Sequence, residues 1–421
     1  MQAQSLRDLY ESARGFDAAY LAARSQFEAN LAYADQAKAS VLPTARLTLE
    51  ATRTDGENTL TKPKERRYGT ENATLSLSQP LYRPGNWAHY QQGLKLPGHA
   101  QAQLEGAEQD LIIRVSQAYF DVLALQDSLT FVQAQKAAVA EQLATAKVTF
   151  EVGTSTITDT HEAQARFDLV LAQEIAAENN LLVKKIALDQ LVGRADAQPR
   201  PLTLPLVIPR LLPNEVKDWV AQSQTAHFSV KQSQIDVEVA QLETVKAQAG
   251  HKPTLDLTAS YTVNNNRDGS SNILESYRIN NSTIGLSFNL PLFAGFAVQN
   301  RIRETLALED KARNELDGAL RGAAQGTRTA FFGLLSGQAQ VKALEAAEVS
   351  SQSALDSNKL GYTVGERINS DVLNAQSQLY QTKRDLARAR YDLLVNGLKL
   401  RQANGTLQVE DLLTVNRLLA L

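Results

Sequence analysis

The sequence predicts a mainly α-helical chain that also carries membrane β-strands. Three observations lead there: the chain repeats itself over nearly its whole length, each half holds two strictly alternating strands, and each half holds a helix of some 65 residues. Four strands leave two unpaired edges, so a barrel built from them requires several chains.

The repeat sets the order of elements. LPTARLTLEAT (42–52) answers KPTLDLTASYT (252–262), and NATLSLSQPLYRPG (72–85) answers NSTIGLSFNLPLFAG (281–295). VSQAYFDVL (115–123) answers TRTAFFGLL (327–335), and LDQLVG (188–193) answers LRQANG (400–405). Each half therefore reads helix, strand, polar loop, strand, very long helix, Val-Gly turn, helix. Residues 1–193 form the first repeat and 214–405 the second. A proline-studded connector, QPRPLTLPLVIPRLLP (198–213), falls in the joining stretch 194–213 and excludes helix there.

All four strands have period 2. Leu47, Leu49 and Ala51 alternate with Thr48 and Glu50, and Leu75 and Leu77 with Thr74, Ser76 and Ser78. Leu255, Leu257, Ala259, Tyr261 and Val263 alternate with Asp256, Thr258, Ser260 and Thr262; Ile284, Leu286, Phe288 and Leu290 with Thr283, Gly285, Ser287 and Asn289. Each is about the ten residues that a tilted strand needs to cross a bilayer. Solvent-facing hairpins alternate in the same way, but three neighbouring features favour the membrane. The loops 54–69 and 264–280 are long and polar, Tyr82, Trp87, Phe293 and Phe296 cluster at the opposite strand ends as interface aromatics do, and the sheet cannot close alone.

The helices point the same way. The segments from about 86 to 150 and from about 297 to 360 would each extend about 100 Å at the helical rise. Leu111, Val115, Ala118, Val122, Leu125, Leu129 and Val132 follow steps of four and three, as do Thr327, Ala330, Leu334, Gly337, Val341 and Leu344. That is coiled-coil spacing. The segments at about 5–41, 157–193, 214–250 and 369–405 are roughly half as long, so two laid end to end match one long helix. Tyr119/Phe120 and Phe331/Phe332 read as packing between helices.

Composition narrows the function. A net charge of −3 offers no basic face for nucleic acid. Cysteine is absent, which excludes disulfides, thiolate metal sites and a Cys nucleophile, and suits an oxidising compartment or an ordinary cytosol. His89, His99, His161, His227 and His251 lack ligand spacing, and no cofactor, metal or catalytic constellation emerges. The opening MQAQSLRDLYESA reads as a polar helix, so any signal peptide is expected to have been removed. A coiled-coil scaffold would explain the heptads but leaves the strands and long loops without a purpose; an enzyme would need a matched acid, base or nucleophile.

The LPTARLTLEAT and KPTLDLTASYT strands, the NATLSLSQPLY and GLSFNLPLFAG motifs, and the paired VG-x-x-x-x-x-D turns at 152–159 and 364–371 resemble the TolC family of outer-membrane exit ducts. The likeness spans nearly the whole chain. It implies a homotrimer with a twelve-stranded barrel in outer-membrane lipid, four strands per chain, continued by a long α-helical coiled-coil barrel in the periplasm of a Gram-negative bacterium. Residues 194–213 and 406–421 would belong to an equatorial region. The implied partners are a periplasmic adaptor and an inner-membrane RND or ABC transporter, with the trimer as a passive duct for drug efflux or type I protein secretion.

The duplicated turns acquire a role on that likeness. Gly153 and Gly365 permit the reversal of a long helix into a short one. The resemblance places the 362–376 hairpin inside the periplasmic tip and its counterpart outside, with Tyr362 and Arg367 reaching Thr158 and Asp159 to hold the entrance closed. Thr158, Asp159, Ser370 and Asp371 also read as ordinary helix-start residues. Asp371 would ring the constriction, while Asn374 stands where relatives of this pattern carry a second acid. On this reading Asn374→Asp should strengthen cation preference.

Overall fold

Strict alternation has the predicted consequence in the computed structural model, which describes residues 3–60, 62, 64–203, 205 and 212–420. Strands β1 (Thr44–Glu57), β2 (Glu65–Tyr82), β3 (Thr254–Arg267) and β4 (Tyr277–Asn289) form one antiparallel sheet in that order. Its register aligns apolar residues into rows that cross the sheet: Ala45, Leu77, Ala259 and Ile284 form one, and Leu47, Leu75 and Tyr261 form another. Leu47, Leu49, Leu75, Ile284, Leu286 and Phe288 are all exposed. The opposite set is polar, with Thr74 and Thr262 hydroxyls 3.2 Å apart across β2 and β3. β1 and β4 each keep one unpaired edge.

The strands are longer than their apolar cores suggest. They run 14, 18, 14 and 13 residues, so much of the expected loops 54–69 and 264–280 is sheet. The polar ends pair with one another: Thr54 sits opposite Tyr68, and Asp55 forms a 3.0 Å ion pair with Arg67. The loops that remain are 58–64 and 268–276.

The helices are α1 (Leu6–Arg14), α2 (Ala18–Lys38), α3 (Pro84–Gly93), α4 (Leu96–Glu151), α5 (Ile157–Val192), α6 (Val216–Ala226), α7 (Phe228–Gln248), α8 (Ala297–Thr363), α9 (Asn369–Ala403) and α10 (Val409–Asn416). The second long helix, α8, is an unbroken 67 residues. The first, expected over 86–150, is divided between α3 and the 56-residue α4. Pro97 accounts for a helix start there, because proline is tolerated in a first turn and not inside a helix. The segment expected at 5–41 likewise breaks before Ala18, and that at 214–250 breaks at His227. The middle of the proline-rich connector, residues 204 and 206–211, lies outside the described residues.

The chain divides into two compact units, and each draws on both halves of the repeat. One comprises Gln26–Gln101 and Gln232–Asp317 and contains the sheet. There Gly93 lies so close to Ala37 that an added Cβ would stand 2.4 Å from the alanine methyl. Arg83 grips the buried Asp256 with two bonds of 2.6 and 2.7 Å.

The other unit comprises Met1–Ser25, Ala102–Lys231 and Gly318–Leu421. Its main core joins Leu6, Leu9 and Tyr10 of α1 to Leu111, Val115, Tyr119 and Phe120 of α4, Leu188 and Val192 of α5, Tyr391 and Leu398 of α9, and Leu412 of α10. The heptad stripe of α4 is therefore its inward face. Short bridges, Gln4 to Pro199 and Leu202 to Leu419, tie the first described stretch of the connector to residues near both chain ends. Phe331 is buried against Leu334, Leu386 and Leu393, whereas Phe332 is exposed.

Candidate functional site

The two Val-Gly turns close with one hydrogen-bond pattern. Gly153 N–H donates to Phe150 O and Thr154 N–H to Thr149 O; Gly365 N–H donates to Tyr362 O and Glu366 N–H to Gly361 O. Gly153 and Gly365 have φ of +79° and +81°, the left-handed region that a Cβ disfavours. The side chains then diverge. In the first turn the Thr149 and Ser155 hydroxyls meet at 3.1 Å. At the equivalent place in the second, a Cβ on Gly361 would lie 2.6 Å from Arg367 Cγ, so the arginine stem needs the glycine beneath it.

The helices that leave the turns start differently. Thr156 caps α5 with a capping box, its hydroxyl accepting from Asp159 N–H while the Asp159 carboxylate accepts from Thr156 N–H. Asp159 thus takes the helix-start role, and Thr158 beside it is exposed. α9 has no side-chain cap at Ile368. Its first turn instead carries Asp371, whose Oδ2 lies 3.7 Å from Arg367 Nη1. Among the described residues no hydrogen bond joins Tyr362 or Arg367 to Thr158 or Asp159 within one chain. Tyr362 packs on the Leu355, Val372 and Leu379 cluster, inside its own hairpin.

What ties the two hairpins within the chain is a side chain that sequence reasoning passed over. Asn369 is 1% exposed; its Oδ1 accepts from Gln142 Nε2 at 2.6 Å and its Nδ2 donates to Asp159 O at 3.3 Å. Arg166 Nη2 on α5 donates to Asn374 Oδ1 at 2.7 Å. Further along the α4–α9 seam, Arg384 donates to Gln135 and Lys399 to Gln117. Tyr391 donates to Asp127 at 2.7 Å. Burial pushes the Asp127 carboxyl up, and the tyrosine bond only partly offsets this. The residues that repeat visibly in sequence build the turns; polar residues without a counterpart join the hairpins.

The four candidate interface aromatics all project. Tyr82, Trp87, Phe293 and Phe296 are 49%, 57%, 73% and 61% exposed, and Phe293 meets Phe296 edge-on at 5.4 Å. Among the described residues no cluster of potential metal ligands occurs and no helix is long and apolar enough to cross a membrane.

A family model described as outer membrane efflux protein matches residues 9–194 and 219–406, one stretch per half of the repeat. The outer membrane protein TolC of Vibrio cholerae is 32% identical over 416 residues, covering 98% of this chain and 93% of that protein. The proteases secretion protein PrtF of Dickeya chrysanthemi is 31% identical, covering 98% of this chain and 90% of PrtF. Among solved structures, the outer membrane protein VceC of Vibrio cholerae superposes with a TM-score of 0.81 at 20% identity, covering 95% of this chain and 96% of VceC. The open state of the Neisseria gonorrhoeae MtrE outer membrane channel gives 0.78 at 17% identity, covering 96% and 89%.

Proposed function

The chain belongs to the outer membrane efflux protein family, and on that premise we propose that three copies close one barrel and one helical tunnel, forming a passive export duct. An outer-membrane efflux or secretion channel of a Gram-negative bacterium is the coarse function that its relatives share. The observation that carries a multi-chain barrel is the sheet; the number three rests on the family likeness. The sheet presents aligned, exposed apolar rows and leaves one edge each of β1 and β4 unpaired, which a bilayer does not tolerate until other chains cover those edges. An uncovered stripe on α5, formed by Leu171, Ile175, Leu182 and Ile186, calls for a neighbouring helix in the same way.

Substrate enters from a periplasmic adaptor and an inner-membrane transporter that supplies the energy. The Val-Gly turns stand at the periplasmic tip, where the second hairpin lines the entrance. Asp371 contributes one carboxylate per chain to the constriction. Tyr362 and Arg367 act between chains, since neither finds Thr158 or Asp159 within its own and Arg367 is exposed. Tyr362→Phe with Arg367→Ser then raises single-channel conductance and leaves the helices intact. The function is tested by fractionating native cells and recording from the purified protein in a planar bilayer. Outer-membrane location with ion conductance is expected; a soluble protein without conductance contradicts the proposal.

A further inference from the structure

Building on the constriction reading above, we propose that Arg166 is a specificity-determining residue of the entrance, holding a positive charge where a second acidic ring would otherwise lie. Arg166 is half-buried on α5, and its Nη2 donates to Asn374 Oδ1 at 2.7 Å. Asn374 is exposed on α9, one turn beyond Asp371. Asn374 is the only hydrogen-bond partner of Arg166 among the described residues. Glu162, one turn back on α5, makes no bond to it, and Asp168 is engaged by Gln164 instead. The guanidinium therefore carries its charge with no carboxylate paired to it.

Two successive turns of α9 thus meet two arginines and one acid in each chain: Arg367 beside Asp371, then Arg166 on Asn374. A ring of acids alone concentrates cations and excludes anions. A ring with this mixture does so weakly. The contact also limits the gain expected from Asn374→Asp. A carboxylate introduced there would arise 2.7 Å from an existing guanidinium, at ion-pair distance, so acid and arginine would cancel each other and leave no net charge. Only the two changes together, the arginine removed and the acid added, leave a net negative second ring.

The test is the K⁺/Cl⁻ permeability ratio, from reversal potentials of the purified channel in planar bilayers under a KCl gradient. A unit charge about 4 Å from a permeating ion in water changes its local occupancy about fivefold, which sets the scale. Asn374→Asp alone is expected to raise the ratio only about as far as Arg166→Gln does, since each removes one net positive charge per chain. Arg166→Gln raises it, Arg166→Gln with Asn374→Asp raises it furthest, and Arg166→Lys keeps the wild-type value. Thermal melts check that each variant is folded. If Asp371→Asn lowers the ratio but Asn374→Asp alone raises it as far as the double variant does, Arg166 has no such role. If no variant changes the ratio, Asp371→Asn included, the constriction ring itself is refuted.

Discussion

Asn369→Ala removes two hydrogen bonds that tie the two Val-Gly hairpins together. The variant loses the acceptor for Gln142 Nε2 and the donor to the Asp159 carbonyl, both at a site that is 1% exposed. A neutral hydrogen bond contributes about 1 kcal/mol net, so the two amount to about 2 kcal/mol per chain. If opening the entrance separates the second hairpin from the first, this energy holds the closed form. Its loss shifts the closed-to-open ratio by about thirtyfold per chain. Single-channel recording should show a longer-lived, higher-conductance state. The core of α1, α4, α5, α9 and α10 does not include Asn369, so the fold should persist, with a melting temperature lower by only a few degrees. Gln142→Ala should reproduce part of the effect, and the double variant should cost less than the sum, since the two share a bond. Wild-type conductance in a folded Asn369→Ala protein would show that opening does not separate these hairpins.

Two further outcomes follow from the unit that holds the sheet. Burial alone would raise the Glu243 carboxyl, but bonds from Gln92, Arg301 and Lys246 outweigh it and bring it down to about 2 from its ordinary 4.5. A depressed acid stabilises above its unfolded value and loses that contribution as pH falls through the folded one. Wild-type melting temperature should therefore drop more steeply between pH 4.5 and about 2 than that of Glu243→Gln; parallel profiles would contradict the ion cluster. At the other end of the sheet, the buried Arg66 donates to Ser270 O and Ile273 O at 2.5 and 2.6 Å, latching the loop 268–276. Arg66→Ala should speed amide exchange across that loop, and unchanged exchange would show that its backbone holds without the latch.

The sheet was legible because period 2 fixes which residues share a face, and a register slip of one would expose the polar set. Strand ends were not legible: polar residues such as Thr54 and Tyr68 pair through their backbones, and side-chain polarity does not reveal that. The turns were visible through their glycines and their repetition. The arginine in the second turn was visible too, but its need for Gly361 was not, since that contact depends on how the chain folds back. Asn369, Gln142 and Arg166 lie on different helices, and no local pattern states which helices meet. A buried Asn in the first turn of α9 reads in sequence as an ordinary helix start.

The claim on which the rest depends is that one chain supplies a third of a barrel. It is tested most directly by the mass of the particle released from native outer membranes in mild detergent. Three chains of 46.1 kDa each are predicted, with no smaller inserted species. A stable, membrane-inserted particle of one chain would contradict the account, because the outer edges of β1 and β4 would then lie unpaired in lipid.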